Sequence, residues 1–557
     1  GELEKAEKFA QNALAYNIKD PRYGDNLLKD YMTLMDIGIN ENNKSKTDKY
    51  FQKALETTEK YFEGKNRETG KLHSNYGEFL FHLGLDKQAL FHYQSAIIQV
   101  FPNFNSQKIA DNPPIEDVYP ESWIMTSCAR KGEALKYRYD QNGDISDLEN
   151  AAECFDLSIA GIEKLQQTYG SDAAKIYMSD YSFNYYEEAI EVNYLLFKEK
   201  NDERYLHKIF EIAEKSKATA LTDAIQKNKA IVFADLPDSL LRKEEDLRLA
   251  IGYYEKILKQ AGQDSLKLMN IKSQLSDSRL EYERLIENLK KINPKFKALS
   301  DSESVPTISE IRENLLTDAD FVIEFFEGEK AIYYLQIGTN SIEIEKIEKT
   351  ESLESEINNF LHAFRNPEVI SNDFSNFLKT GNRLLNQLFP HLFSSNKFEN
   401  QKIIIIPDGI LNYIPYDALV INSDSNQPKY FLNFIGIQIG YSATVLIAQK
   451  DLPVKSNQFL HFAPEEFLNR NPKLAILKYS KEEVANIKRL ISFEGKSALL
   501  NSFKNQSSDK GIIHLSTHAI GSRETPLIEF YDSTLYLPEL YALNLSADLV
   551  VLSACET

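Results

Sequence analysis

Cysteine is scarce in this sequence: three in 557 residues, Cys128, Cys154 and Cys555, odd in number and widely spaced. That usage argues against a disulfide framework and makes a reducing cytoplasm the expected compartment. Glycine (22) and proline (18) are also sparse, which favours helix over much of the chain. No apolar run approaches the roughly 18 residues needed to cross a bilayer, so a membrane-spanning role is not expected. Basic residues are the minority, 64 Lys and Arg against 83 Asp and Glu, for a formal net charge of −19. With no local basic stripe, that field repels a nucleic-acid backbone and suits a basic protein segment better. There is no GxxxxGK[ST], no HExxH and no clustered Cys/His set, so neither a nucleotide nor a metal cofactor is expected. The opening GELEKAEKFA has neither an initiator Met nor a basic-then-apolar secretory pattern, and reads as the start of a fragment. At roughly 100–200 residues per domain, the length predicts about three to five domain-sized units, or fewer with a long repeat array.

Residues 1–232 carry recurring helix-pair patterns with small residues at fixed offsets. The clearest copy, YGEFLFHLGLDKQALFHYQSAI, sets Gly77, Leu80, Gly84, Ala89, Tyr93 and Ala96 at places where a small residue lets two helices approach and a large one fills the groove. Ala6, Thr47 and Ala89 fall at equivalent places, a period of 41 to 42 residues. A helix pair cannot bury its apolar face alone, so stacking into a solenoid is the expected solution. An irregular helical bundle is the plainer alternative. KIFEIAEKSKATALTDAI (208–225) predicts one more amphipathic helix, and residues 233–300 read as a long antiparallel helical hairpin turning near Gly262. The Ser-, Asp- and Pro-containing stretch 298–309 marks a boundary.

From 301 to 557 the texture changes to that of an α/β domain. Residues 320–346 alternate like paired strands, with turns at Glu327-Gly328 and Gly338-Thr339-Asn340. Two helices are expected next, over about 351–364 and 373–393. KIIIIPDG, FIGIQIGYS, QFLHFAP, GIIHLSTH and ADLVVLSAC are continuous apolar runs, the pattern of strands buried on both faces of a parallel sheet. A helix over SKEEVANIKRLI is expected between two of them. The fold class is therefore α followed by α/β with a mostly parallel sheet.

Two of these runs end on reactive residues: GIIHLSTH delivers His518, and ADLVVLSAC delivers Cys555, 37 positions later. In open α/β sheets, functional groups gather beyond the C-terminal strand ends, so neighbouring strands could present both to one cleft. An imidazole beside a thiol can take its proton and later protonate a leaving amine. Each residue also has a plainer reading, since a cysteine closing an apolar strand is commonly packed in the core. His514, inside its run, reads as a packed, hydrogen-bonded histidine.

An ordered set of segments makes the pattern more specific: the strand pair at 320–346, IIIIPDGILNYIPYDALV, GYSATVLI, FAPEEF, YSKEEVANIKRLI, IIHLSTHAI, TPLIEFYDS and LPELYALNLSADLVVLSACET. In these the chain resembles the CHAT family of caspase-like, separase-like cysteine peptidases, and residues 1–232 resemble the tetratricopeptide arrays often fused to them. AEKSKATAL and the hairpin after it resemble the stretch that joins the two. The resemblance implies a caspase-like fold with His518 as catalytic base and Cys555 as nucleophile. It also implies backbone N–H donors for an oxyanion at or near Ala519 and at Cys555, with no cofactor. Ala519 stands where many such enzymes have glycine, which suits the role if the local backbone accommodates a Cβ. Pro407-Asp408-Gly409 and Pro415-Tyr416-Asp417 match signature positions and read as turns and packing; Asp408 or Asp417 as a third catalytic member is the lesser alternative. A CHAT domain continues past SACET, so the domain is expected to be truncated at Thr557.

The resemblance implies a cytoplasmic cysteine endopeptidase that cleaves a loop of a partner protein. The helical array would bind a protein activator, inhibitor or substrate, and prokaryotic defence or regulated cell death is the implied setting. A scaffold with an idle CHAT domain is the alternative.

Overall fold

The structure, a computed structural model, describes the chain except residues 1, 20–23, 169–171, 218–229, 232–233, 235, 261–264, 301–304, 391–399, 425, 451–457, 469–473, 486, 488–489, 509, 522–525, 542, 544, 546 and 555–557. Cys555, the turn at Gly262 and the latter part of the helix predicted over 208–225 lie outside the described residues. The chain divides into two compact units, each made of two segments: 1–222 with 304–447, and 223–303 with 448–557.

Among the described residues, the first unit opens with the helices α1 (Glu2–Asn17), α2 (Gly24–Asn40), α3 (Lys44–Tyr61), α4 (Arg67–His82), α5 (Asp86–Val100), α6 (Ser122–Asn142), α7 (Ile145–Thr168), α8 (Asp172–Lys200) and α9 (Arg204–Ser216). Consecutive helices pack against each other along the array. The spacing of small against large residues has a direct physical basis. A Cβ on Gly77 in α4 would come within 2.9 Å of the Tyr93 ring in α5, and one on Gly132 in α6 within 2.9 Å of Phe155 in α7. Each pair closes because a hydrogen on one helix meets a ring on the next. Short polar side chains set the helix starts: Asn43 accepts from the Lys46 N–H to begin α3, and Asn66 accepts from Thr69 N–H to begin α4.

Beyond the array, the same unit holds a five-stranded sheet built from β1 (Phe321–Glu327), β2 (Ala331–Gly338), β3 (Ile342–Glu348), β4 (Gln401–Ile406) and β7 (Ile435–Ile439). Its order is β3-β2-β1-β4-β7; the first three strands run antiparallel and β1, β4 and β7 parallel. The short β5 (Val420–Asn422) and β6 (Lys429–Tyr430) pair separately. The alternation of β1 explains its layers. Val322 and Phe326 join the core of the helical array, while Ile323 and Phe325 join a second core with the helices Glu351–Arg365 and Phe374–Leu388.

Polar anchors lock array and sheet together within this unit. Glu214 in α9 accepts from the backbone N–H groups of Ala443 and Thr444, at the start of the helix Ala443–Lys450. A carboxylate there complements the positive end of the helix dipole. Lys217, just after α9, donates to Glu324 and to the Phe325 carbonyl in β1. Glu187 in α8 accepts from the N–H groups of Glu329 and Lys330 in the β1–β2 turn.

The second unit contains the helical hairpin, Asp238–Gln260 and Ser265–Ile292. Lys243 pairs with Glu281, Tyr282 donates to Glu244, and Arg279 pairs with Glu255. From Lys243–Glu281 to Tyr254–Gln274 the numbers rise on the first helix and fall on the second, so the two run antiparallel. Lys256 of the hairpin meets Glu539 in the short helix Leu537–Tyr541. The unit's main sheet comprises β8 (Phe459–Ala463), β9 (Leu490–Glu494), β10 (Ile512–Ser516) and β14 (Leu549–Ser553), in the order β14-β10-β8-β9 and parallel throughout. A smaller antiparallel sheet follows β10: β11 (Ala519–Ile520), β12 (Leu527–Glu529) and β13 (Thr534–Tyr536).

The helix expected over SKEEVANIKRLI is a correction. Its described residues form a single turn at Glu482–Val484, and Leu490–Glu494 becomes β9, paired in register with β8. Helical periodicity loses here to tertiary pairing along the open edge of β8. Two sheets in separate units, rather than one, carry the expected strands.

Candidate active site

In the parallel pair β10–β14, Ser516 stands opposite Ser553. In the sequence His518 follows Ser516 by two residues and Cys555 follows Ser553 by two. The exit from β10 is pinned on both sides. The Thr517 N–H donates to the Ser553 carbonyl at 3.2 Å, and its hydroxyl donates to the Glu529 carbonyl at 2.5 Å.

His518 is held by backbone. Its Nε2 lies 2.9 Å from the Ala475 carbonyl oxygen, and the Phe467 ring lies 5.0 Å away, tilted by 50°. A carbonyl oxygen only accepts, so Nε2 carries the proton and the neutral ring keeps its lone pair on Nδ1. Ala519 is buried in β11 opposite Ile528. The Glu529 N–H donates to the His518 carbonyl at 2.9 Å, which makes His518–Glu529 a hydrogen-bonded pair. In an antiparallel ladder such pairs alternate with non-bonded ones, so the Ala519 N–H points away from β12, toward the open edge of β11. The extended backbone at Ala519 accommodates a Cβ without strain.

The two faces of the β8–β10–β14 sheet differ sharply. One carries Leu460, Phe462, Ile513, Leu515 and Leu552 into an apolar core with the helix Leu500–Gln506. The other carries a row of polar groups. His461, fully buried, sits with Nδ1 3.1 Å from Ser492 Oγ and Nε2 3.0 Å from Ser516 Oγ. Ser516 Oγ donates to Glu483 at 3.1 Å, and His514 Nε2 lies 3.2 Å from the same carboxylate. Burial, then neighbouring His514, pushes the His461 pKa down to about 4. His514 is thus the packed, hydrogen-bonded histidine its position suggested. Sequence reasoning missed Ala475, Phe467 and the Ser516 hub; only the buried His of QFLHFAP hinted at the last.

Asp408 accepts from the N–H groups of Glu327 and Gly409, and Tyr416 donates to the Leu411 carbonyl. Both signature motifs are occupied as turns in the first unit. Cys128 and Cys154 are buried in the helical array, and burial pushes both thiols up, Cys154 to about 11. Among the described residues no group of three or more His, Cys, Asp or Glu could hold a metal ion, and no helix is long and apolar enough to cross a membrane.

The described geometry is a parallel sheet with His518 just beyond the end of β10; comparison with known proteins adds a domain. The model of the CHAT domain matches residues 378–557, from the helix Phe374–Leu388 through the whole of the second sheet. No curated protein matches the chain.

Proposed function

We propose that the protein is a cysteine endopeptidase of the caspase-like kind, working through Cys555 and His518. The observation that carries this reading is the in-register exit of β10 and β14, combined with a histidine whose Nε2–H is already committed to the Ala475 carbonyl. Nδ1 is then the nitrogen left to accept the Cys555 proton. The thiolate attacks a peptide carbonyl, and the tetrahedral oxyanion is held by the N–H groups of Ala519 and Cys555. His518 protonates the departing amine, and water releases the acyl group from Cys555. The chemistry requires no metal or cofactor. We read the helices of residues 1–232 as a tetratricopeptide array that binds a protein partner or substrate in a reducing compartment; prokaryotic defence is the setting the family resemblance suggests.

Competitive alkylation tests the dyad without a known substrate. Iodoacetamide should modify Cys555 well ahead of Cys128 and Cys154, with a pH midpoint below the ordinary thiol value of about 8.5. Peptide mass spectrometry reads all three sites. Equal, slow modification with an ordinary midpoint at Cys555 would remove the basis for the reading.

A further inference from the structure

A parallel α/β sheet ordinarily buries both faces in apolar contacts. One face of the β8–β10 pair instead carries a hydrogen-bond chain across three strands: Ser492 in β9, His461 in β8 and Ser516 in β10, ending on Glu483. Ser492 Oγ donates to Glu494 and Ser516 Oγ to Glu483, and the His461 ring lies between the two hydroxyls. Ser516 is the hub of this chain, 1% exposed, and its own register partner is Ser553.

We infer that Ser516 is a positioning residue for the dyad: its hydroxyl, clamped between His461 and Glu483, fixes the end of β10 from which His518 is presented toward Cys555. This inference rests on the dyad reading above. Thr517 anchors the same exit from the other side, through β12 and β14. The two residues before His518 therefore hold opposite flanks of one turn. His461 and Ser516 are buried, so breaking the contact between them leaves an unpaired group in a low-dielectric site.

The readout is the pH midpoint of Cys555 alkylation, with amide protection of β8 and β10 followed by hydrogen exchange. Ser516→Ala should raise the midpoint by at least about one pH unit, toward the ordinary thiol value of about 8.5, while β8 and β10 stay protected. Ser516→Thr, which keeps the hydroxyl, should hold the midpoint within a few tenths of the unsubstituted protein. Glu483→Ala, which removes the acceptor, separates positioning from simple charge and covers the case in which Ser516→Ala loses the sheet. Removing a negative charge near a thiol lowers its midpoint by electrostatics alone, whereas a loosened clamp raises it. A rise supports the inference. A fall or no change in Glu483→Ala, an unmoved midpoint in a folded Ser516→Ala, or a Thr variant as shifted as the Ala one would each overturn it. An ordinary midpoint in the unsubstituted protein would instead overturn the dyad itself, so the two failures are distinguishable.

Discussion

Replacing His518 with alanine is expected to lower peptide-bond cleavage by about 10²–10⁴-fold, the usual contribution of a positioned general acid–base. Two steps depend on the ring in this account. Nδ1 takes the Cys555 proton before attack, and the same proton reaches the leaving amine afterwards. Both require the tautomer that the Ala475 carbonyl enforces through its 2.9 Å contact with Nε2. The loss should fall mainly on kcat, because His518 acts on the reacting atoms and makes no ground-state contact with remote parts of the substrate. The Cys555 alkylation midpoint should rise to about 8.5 in the same variant. Cleavage measured beside alkylation therefore separates loss of base from loss of fold.

The second large effect concerns Lys217. Both partners of the Lys217–Glu324 pair are almost wholly shielded from water, at 5% and 1% side-chain exposure. Oε1 of Glu324 faces the ammonium, and Oε2 has no hydrogen-bond partner among the described residues. Lys217→Ala leaves the Glu324 carboxyl and the Phe325 carbonyl buried without their donor, which should destabilise the first unit by about 1–3 kcal/mol for each. The chain's single tryptophan, Trp123 in α6, lies in this unit and reports its unfolding by fluorescence. Burial, opposed by Lys217, already pushes the Glu324 carboxyl up to about 8, well above its value of about 4.5 in an open chain. Between those two values the folded state holds a proton that the unfolded state releases, so this group's contribution falls as pH rises through the window. Lys217 holds that value down, so without it the carboxyl keeps its proton to higher pH, and the cost of Lys217→Ala should grow as pH rises above about 8. Replacing both partners, as Lys217→Met with Glu324→Leu, should recover the carboxyl's share of the loss, because no buried carboxyl then remains.

What the sequence discloses depends on how local the cause is. β1, β2 and β3 are legible because alternate residues of FVIEFFE face two different cores, and the turns between strands fall on glycine-containing segments. The Gly77–Tyr93 and Gly132–Phe155 approaches are legible because the small residue must lie opposite the ring. SKEEVANIKRLI misleads: its helical spacing is real, but the edge of β8 claims Leu490–Glu494. Nothing local to that segment announces the edge. Nor does the sequence announce that the α/β region is shared between two units, because that depends on which distant helices each sheet covers. Near the site, His518 stood out as a reactive side chain ending a strand, and β10 and β14 are indeed parallel neighbours. The Ala475 carbonyl was illegible, since a backbone oxygen has no residue type to mark it. The role of Ser516 is equally illegible, because its partner His461 lies 55 residues away in sequence.

The most direct test of the central claim is to map new protein N-termini in a lysate incubated with the protein or with its Cys555→Ala variant. The account predicts termini that appear only when Cys555 is present, and the residues flanking them would define the specificity of the cleavage. Identical sets of termini from both forms would contradict it and leave the helical array as a binding scaffold.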